Sequence, residues 1–441
     1  MRKIPLILTV VLMLGWGTTA FAAVEHTFHG QFRINGYALS NSEGAYIDPA
    51  TGLPATEGDV AAQRLRWRPT WDAKLNDDVS VHTQFNIGHI ESNASNARTD
   101  QSGAPAFGLR HAVLDFKFLG GRVNAGIVPL SDKFGDTLFS GDWDFNPVAY
   151  VWLGKLNTVD VRVGTGKLQE KDAAHHDDMD IYLLDVDTAA GAKGKIGGSF
   201  YRFINRDTDN NNERNPTLTQ NYVGVRFSQD MGVKLNVFAL YNMGELKDET
   251  GVAPTEKNKG YAIKAEGLLS SGKANFGVMA LMASGDKDVG AAGKTSFDSF
   301  ITPMTLIGHT GYWGYTGKLN IQGTTDTGID NPLNIDGAAY GRPDGGAGYG
   351  IVTLQAKADF PIATKLSGYV AAGYYSHAEA PAGFKKAIGT DIYAEAKYNL
   401  AENLNWQLGV DYAMLNKNNA AYGYIKDNNV TLFFSRLQLE Y

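Results

Sequence analysis

The 441-residue sequence predicts an all-β protein, a single antiparallel up-and-down transmembrane β-barrel of about eighteen strands, with sixteen to twenty as the range. Three observations predict it. The chain opens on a secretory leader. No later apolar run is long enough for a helical membrane span. Alternation of apolar and polar residues with period two dominates the rest.

The leader begins with basic Arg2 and Lys3, continues in the apolar run from Ile4 to Trp16, and ends in Ala20-Phe21-Ala22, a small-x-small cleavage site. Residues 1–22 therefore read as a signal peptide and 23–441 as the barrel. The chain has no cysteine, so it uses no disulfide staples and carries no lipid on a cysteine and no covalently attached c-type haem. The net charge of -7 gives no sign of a nucleic-acid partner. With 51 Gly, 21 Tyr and 21 Phe but only 43% hydrophobic residues, the composition suits strands that show one face to lipid and one to water.

The strands are read in order. Phe28, Phe32, Ile34 and Ala38 alternate with His29, Gln31, Arg33 and Asn35. Leu65, Trp67, Trp71, Ala73 and Leu75 alternate with Arg64, Arg66, Arg68, Asp72 and Lys74. Val79, Val81, Phe85 and Ile87 alternate with Ser80, His82, Gln84 and Asn86, and late in the chain Leu404, Trp406, Leu408, Val410 and Tyr412 repeat the pattern. Such segments exceed the usual globular strand of about 5–6 residues and suit a tilted membrane crossing.

Short turns punctuate these strands at 76–78, 120–121, 157–158, 188–193, 230–232, 270–272, 361–364 and 401–403. Long polar segments lie between them at 41–62, 92–107, 131–147, 171–178, 207–217, 248–258, 286–347, 379–388 and 418–428. Short and long connections alternate strictly, as short periplasmic turns and long outer loops require. The outer loop 286–347 is long enough to contain a further hairpin, with Phe300 to Ile307 and Tyr312 to Ile321 as candidate strands.

The ending VTLFFSRLQLEY is an alternating strand that must pair with the first, His26 to Ser40, to leave no edge in lipid. Its terminal aromatic resembles the signal read by the outer-membrane barrel-assembly machinery. Aromatics near strand ends (Trp71, Tyr37, Tyr374, Trp406 and Tyr441) are expected on the lipid face as interface girdles.

The alternate rows face the lumen. Arg64, Arg66 and Arg68 share one face of one strand, with Arg33 on the strand before. Arg110, Arg122, Arg162, Arg202, Arg226 and Arg436 fall on inward rows by the same count. Inward acids are Asp72, Asp115, Asp160, Glu266, Asp359, Asp391, Glu395 and Asp411. Two readings stand side by side: the arginines favour anions in a pore, or they pair with the acids and brace the wall. The stretch LSDKFGDTLFSGDWDFN, Leu130 to Asn146, carries more large apolar groups than an exposed loop needs. It is expected either to fold into the lumen as a constriction loop, 131–147, using Phe134, Asp136, Asp142 and Trp143, or to cover the outer mouth.

Gly126, Leu130-Ser131, Gly135-Asp136, Leu138, Gly141-Asp142-Trp143 and Asn146 together resemble a segment typical of the alginate-export family of outer-membrane barrels. QRLRWRPTWDAKLNDDVSVHTQF is similar to that family's Arg-bearing second strand and acidic turn. The resemblance implies a monomeric barrel with an Arg-rich lumen that conducts an anionic polysaccharide. Ile127-Val128 departs from the family's usual Arg-Gln, and the similar segments cover a small part of the chain. The texture is also similar to barrels that sheathe multihaem cytochromes.

Catalytic chemistry finds little support. No GxSxG elbow occurs. His175-His176-Asp177-Asp178 reads as a solvated loop without further ligands at metal spacing. Asp207, Asp209, Asn211 and Glu213 begin like a calcium loop, but Asn212 and Leu218 replace its Gly and bidentate Glu. The expectation is a non-enzymatic channel in the outer membrane of a Gram-negative bacterium, without cofactor or metal. It would contact lipid and pass small, anionic solutes or polysaccharide. The alternatives are a barrel sheath for a periplasmic or multihaem cytochrome partner, and an outer-membrane hydrolase.

Overall fold

The computed structural model describes residues 24–40, 60–91, 107–143, 145–169, 178–206, 217–247, 255–288, 294–302, 318–319, 321, 348–417 and 429–441. Residues 1–22, expected to be a leader, together with His175 to Asp177 and 207–216, lie outside the described residues.

The chain runs through β1 (Glu25–Ser40), β2 (Val60–Lys74), β3 (Val79–Glu91), β4 (Phe107–Phe118) and β5 (Gly121–Ile127), then a short 3-10 turn, Gly141–Trp143. It continues as β6 (Val148–Leu156), β7 (Val159–Gln169), β8 (Met179–Ala189), β9 (Gly194–Asn205), β10 (Thr217–Asp230), β11 (Val233–Lys247), β12 (Glu256–Ser271) and β13 (Ala274–Ala283). After the two-residue β14 (Ser296–Phe297) come β15 (Ile351–Ala363), β16 (Leu366–Ser376), β17 (Ala387–Asn399), β18 (Leu404–Leu415) and β19 (Asn429–Glu440). All nineteen belong to one sheet. The wall itself has eighteen strands, because β13 pairs directly with β15 while β14 lies parallel against β12. The closed antiparallel barrel is the expected fold. The described parts of the candidate strands Phe300–Ile307 and Tyr312–Ile321 form no strand, and their remainder lies outside the described residues.

Local chemistry sets the short turns. The Asn76 side chain accepts hydrogen bonds from the Asp78 and Val79 N–H groups at 2.8 and 2.9 Å, an Asx turn that reverses the chain between β2 and β3. The strand faces then follow from the pleat. Phe28, Ile34 and Trp67 are exposed on the outer surface, whereas Arg33, Asn35, Arg64 and Arg66 are buried on the lumenal side. Two outward and inward assignments are corrected by the same pleat. Tyr37 has the parity of Arg33 and faces the lumen, where the Arg64 guanidinium stands 5.7 Å from its ring centroid. Arg202 lies between buried Tyr201 and Phe203 and is exposed on the outer face, because the inward row of β9 is aromatic there instead of polar.

The last strand closes the wall on the first, from Gln31 opposite Glu440 to Ser40 opposite Thr431. Tyr441 extends the ladder by two backbone hydrogen bonds with Gly30, at 2.9 and 3.1 Å. A Cβ on Gly30 would approach the Arg68 carbonyl oxygen to 2.5 Å and the Tyr441 hydroxyl to 3.0 Å, so glycine makes room for the terminal ring. The Trp67 indole N–H donates to the Tyr441 hydroxyl at 2.7 Å across the seam. In lipid that bond has little water to compete with it. Trp67→Phe keeps the apolar surface and removes the bond. It should lower barrel stability by about 1 kcal/mol, read as an earlier urea midpoint of the lipid-folded protein, and an unchanged midpoint would show that the seam does not need it.

Candidate functional site

Two segments of the chain pack against the inner wall. The first is the connection between β5 and β6. Its Phe134, Leu138, Phe139 and Phe145 are all essentially buried. They dock on an apolar patch of the inner wall made by Ile181 and Leu183 of β8, Tyr201 and Phe203 of β9, Tyr222 of β10, and Phe238 of β11. The contacts are mostly edge-on: Phe134 to Phe238 at 5.4 Å, Phe139 to Tyr201 at 5.1 Å, and Phe145 to Phe203 at 6.0 Å between centroids. Phe134 occupies space left by Gly224, where a Cβ would come within 2.4 Å of its ring.

Asp132 holds this loop in shape. Its carboxylate accepts the N–H of Phe134 at 2.6 Å, that of Phe139 at 3.0 Å, and that of Leu138. Burial pushes the Asp132 carboxyl up to about 6, against the three N–H groups that favour its charge. Burial also raises Asp136, whose backbone sits at φ 57°. On the loop's far side Arg110 donates to the carbonyls of Gly141 and Asp142 at 2.8 and 2.9 Å, and to Gln84 at 2.6 Å. Asp142 itself is exposed, and Trp143 closes the 3-10 turn.

The second segment follows β13. Of the span 286–347, expected outside, Ser299 to Thr302, Lys318, Leu319 and Ile321 are buried. The Tyr222 hydroxyl donates to the Ile301 carbonyl at 2.7 Å and the Asn258 amide to that of Ser299 at 2.6 Å. Further along, Lys318 meets Glu395 of β17 at 2.6 Å, and the Ile321 N–H donates to Asp391 at 2.7 Å.

The inward arginines lie on two parts of the wall. Arg122, Arg162 and Arg226 pair with acids: Arg122 with Asp115, Arg162 with Asp185 at 2.6 Å, and Arg226 with Asp187 at 2.6 Å. Arg162 also donates to the Ser131 carbonyl at 2.9 Å, and the Arg226 guanidinium stands 5.6 Å from the Phe134 ring, so both hold the loop. Arg33, Arg64, Arg66 and Arg68 form a ladder on the lumenal faces of β1 and β2. Arg66 donates to Gln31 at 2.6 Å and Arg68 to Asn86 at 2.9 Å. Arg436 of β19 continues it, donating to Asn35 at 3.0 Å. Below the ladder Asp72 bridges His29 and His82 at 2.7 and 2.6 Å.

Beneath the loop lie two adjoining cavities of about 400 and 510 Å³. Their lysines, Lys133, Lys195 and Lys264, and the acid Asp185 escaped the sequence reading. Lys133 sat inside a segment read for its apolar groups. Lys195 and Asp185 are on inward rows, but neither stands in a run of charges. A signal for the docking wall is present: the inward rows of β8 and β9 carry Ile181, Leu183, Tyr201 and Phe203, which a wall facing water does not require. No group of His, Asp or Glu among the described residues is arranged to hold a metal ion.

No protein-family model matches the chain. No curated protein matches its sequence. Solved structures share the fold. OccAB1 of Acinetobacter baumannii is similar with a TM-score of 0.54 at 13% identity, covering 96% of this chain and 98% of that one. A BenF-like porin of Pseudomonas fluorescens Pf-5 is similar at 0.55 and 10% identity, covering 96% and 100%. OpdK of Pseudomonas aeruginosa, in its structure with vanillate, is similar at 0.51 and 11% identity, covering 94% and 99%. The chain therefore has the barrel fold of outer-membrane porins, and the alginate-export resemblance of the 126–146 segment gains no support beyond that fold.

The titration of Asp132 has a direction. Its carboxyl lies near 6 with the loop seated, against 3.8 ordinarily, so the seated loop holds a proton that a released loop gives up. Seating is therefore firmest below about pH 4, weakens as pH rises to about 6, and is level above. Single-channel current fluctuations from loop release should be fewest near pH 4, and Asp132→Asn should flatten the dependence. Equal pH profiles of wild type and variant would remove Asp132 from that role.

Proposed function

We propose that this protein is an outer-membrane porin for passive passage of small anionic solutes. The observation that carries the proposal is the ladder of Arg33, Arg64, Arg66 and Arg68 on the lumenal faces of β1 and β2, opposite an inner wall against which the loop after β5 packs. Guanidinium groups present paired N–H donors to a carboxylate and exclude cations from a tight passage. In this reading Phe134, Asp136, Asp142 and Trp143 belong to the constriction, and Arg110 anchors it beside the ladder.

The similar porin OpdK was solved with vanillate, a carboxylate, which supports an anionic class of solute. The resemblance of 126–146 to alginate-export barrels supports the same sign of charge with a longer cargo. Small solutes fit better, because Phe134, Leu138, Phe139 and Phe145 of the loop after β5 and Ser299 to Thr302 pack inside the wall. The same filling leaves less support for a sheath around a cytochrome. Lipid outside and the barrel-assembly machinery are the partners this reading needs.

Planar-bilayer recordings in a salt gradient test it. Wild-type channels should reverse on the anion-selective side, and Arg64→Gln, Arg66→Gln and Arg68→Gln combined should move the reversal potential most of the way to zero. A cation-selective or non-conducting wild type would overturn the reading.

A further inference from the structure

The two cavities beneath the loop carry a charge surplus. Seven cationic and five acidic residues line them. Toward β5 to β7, Arg122 takes Asp115 and Lys155 takes Asp160 at 2.9 Å. Toward β8 to β12, Arg162 takes Asp185, Arg226 takes Asp187, and Lys264 takes Glu266 at 3.0 Å. Every acid lining the cavities is thereby engaged. Lys133 and Lys195 remain, and neither makes an ion pair among the described residues.

Their placement makes the surplus local. Lys133 projects from the constriction loop and Lys195 from β9. Both side chains border both cavities. The Lys133 backbone is fixed there, its N–H donating to the Tyr201 hydroxyl at 3.2 Å. Burial and the neighbouring Arg162 lower the Lys133 amine below lysine's usual value, against the pull of Asp185 and Asp187. Positive side chains lining one cavity set up a field that favours anions. A bound dianion meets that field at both lysines and gains charge-assisted hydrogen bonds.

We propose that Lys133 and Lys195 form a binding station for a small dianion, a dicarboxylate or inorganic phosphate, directly below the constriction. The station rests on the reading of the barrel as an anion channel and refines it: the arginine ladder sets the sign of charge admitted, and the lysine pair favours two charges over one. Ammonium groups on flexible stems act as point charges and adjust to either anion.

The test is current block in planar bilayers by succinate, by inorganic phosphate, and by acetate as the singly charged comparator. Wild type should be blocked by succinate or phosphate at least tenfold more sensitively than by acetate. Lys133→Gln and Lys195→Gln should each weaken that block several-fold, and the double variant should abolish the preference. Lys133→Arg with Lys195→Arg should retain it. Lys195 is exposed on the wall, so Lys195→Gln leaves the fold intact and tests the station by itself. Equal block by acetate and the dianions in wild type, or a preference that survives the double variant, overturns the proposal. Block by only one dianion identifies the source. Failure here leaves the reversal potential untouched, whereas failure of the ladder reading appears in the reversal potential and not in the dianion preference.

Discussion

Closure of β19 on β1 is the constraint from which the rest follows. Lipid offers no partners to backbone N–H and C=O groups, so an open strand edge within the membrane is not tolerated. Ten residue pairs, from Gln31–Glu440 to Ser40–Thr431, remove the edge, and Tyr441 extends the seam beyond the last strand. Closing eighteen strands in this way fixes the girth. A barrel this wide cannot be filled by the side chains of its own wall and leaves an aqueous interior. The inner surface then needs material from elsewhere in the chain, and the connections after β5 and β13 provide it.

How a loop stays in such an interior is a question of burial. Water competes for every hydrogen bond it makes, so polar contacts alone would hold it weakly. The wall answers by turning apolar on its inner row over β8 to β11, where Tyr201, Phe203, Tyr222 and Phe238 receive Phe134, Phe139 and Phe145. The apolar contact supplies adhesion without a fixed register. Register comes from directional groups: Arg162 and Arg110 grip loop carbonyls, and Asp132 binds three N–H groups that the tight turn leaves without partners.

Much of the fold was legible because a membrane wall imposes a two-residue period over most of its length. Strand positions, the eighteen-strand count and the closing pair follow from that period. Reading failed where the period stopped carrying the contrast. In β9 the inward row is aromatic, so the charged Arg202 beside it reads as inward although it is exposed on the outer row. In β1 the girdle expectation placed Tyr37 outside, although its parity with Arg33 placed it inside. The inward course of the segment after β13 left no periodic trace, because its residues are held by single bonds such as Lys318–Glu395 and Ile321–Asp391, with partners far away in sequence.

The arginines show how far one residue type can diverge in role on one inner surface. Arg122, Arg162 and Arg226 lie on β5, β7 and β10, where Asp115, Asp185 and Asp187 stand on neighbouring strands within reach. Their charge is spent on carboxylates, and at Arg162 and Arg226 the product is a rigid seat for the loop. On β1 and β2 the partners are of another kind. Arg66 and Arg68 donate to the Gln31 and Asn86 amides, and the Arg64 guanidinium stands over the Tyr37 ring. A carboxylate fixes a guanidinium by charge as well as direction, whereas an amide or a ring fixes it by direction and contact. One residue type is thus oriented on the same inner surface by two kinds of neighbour.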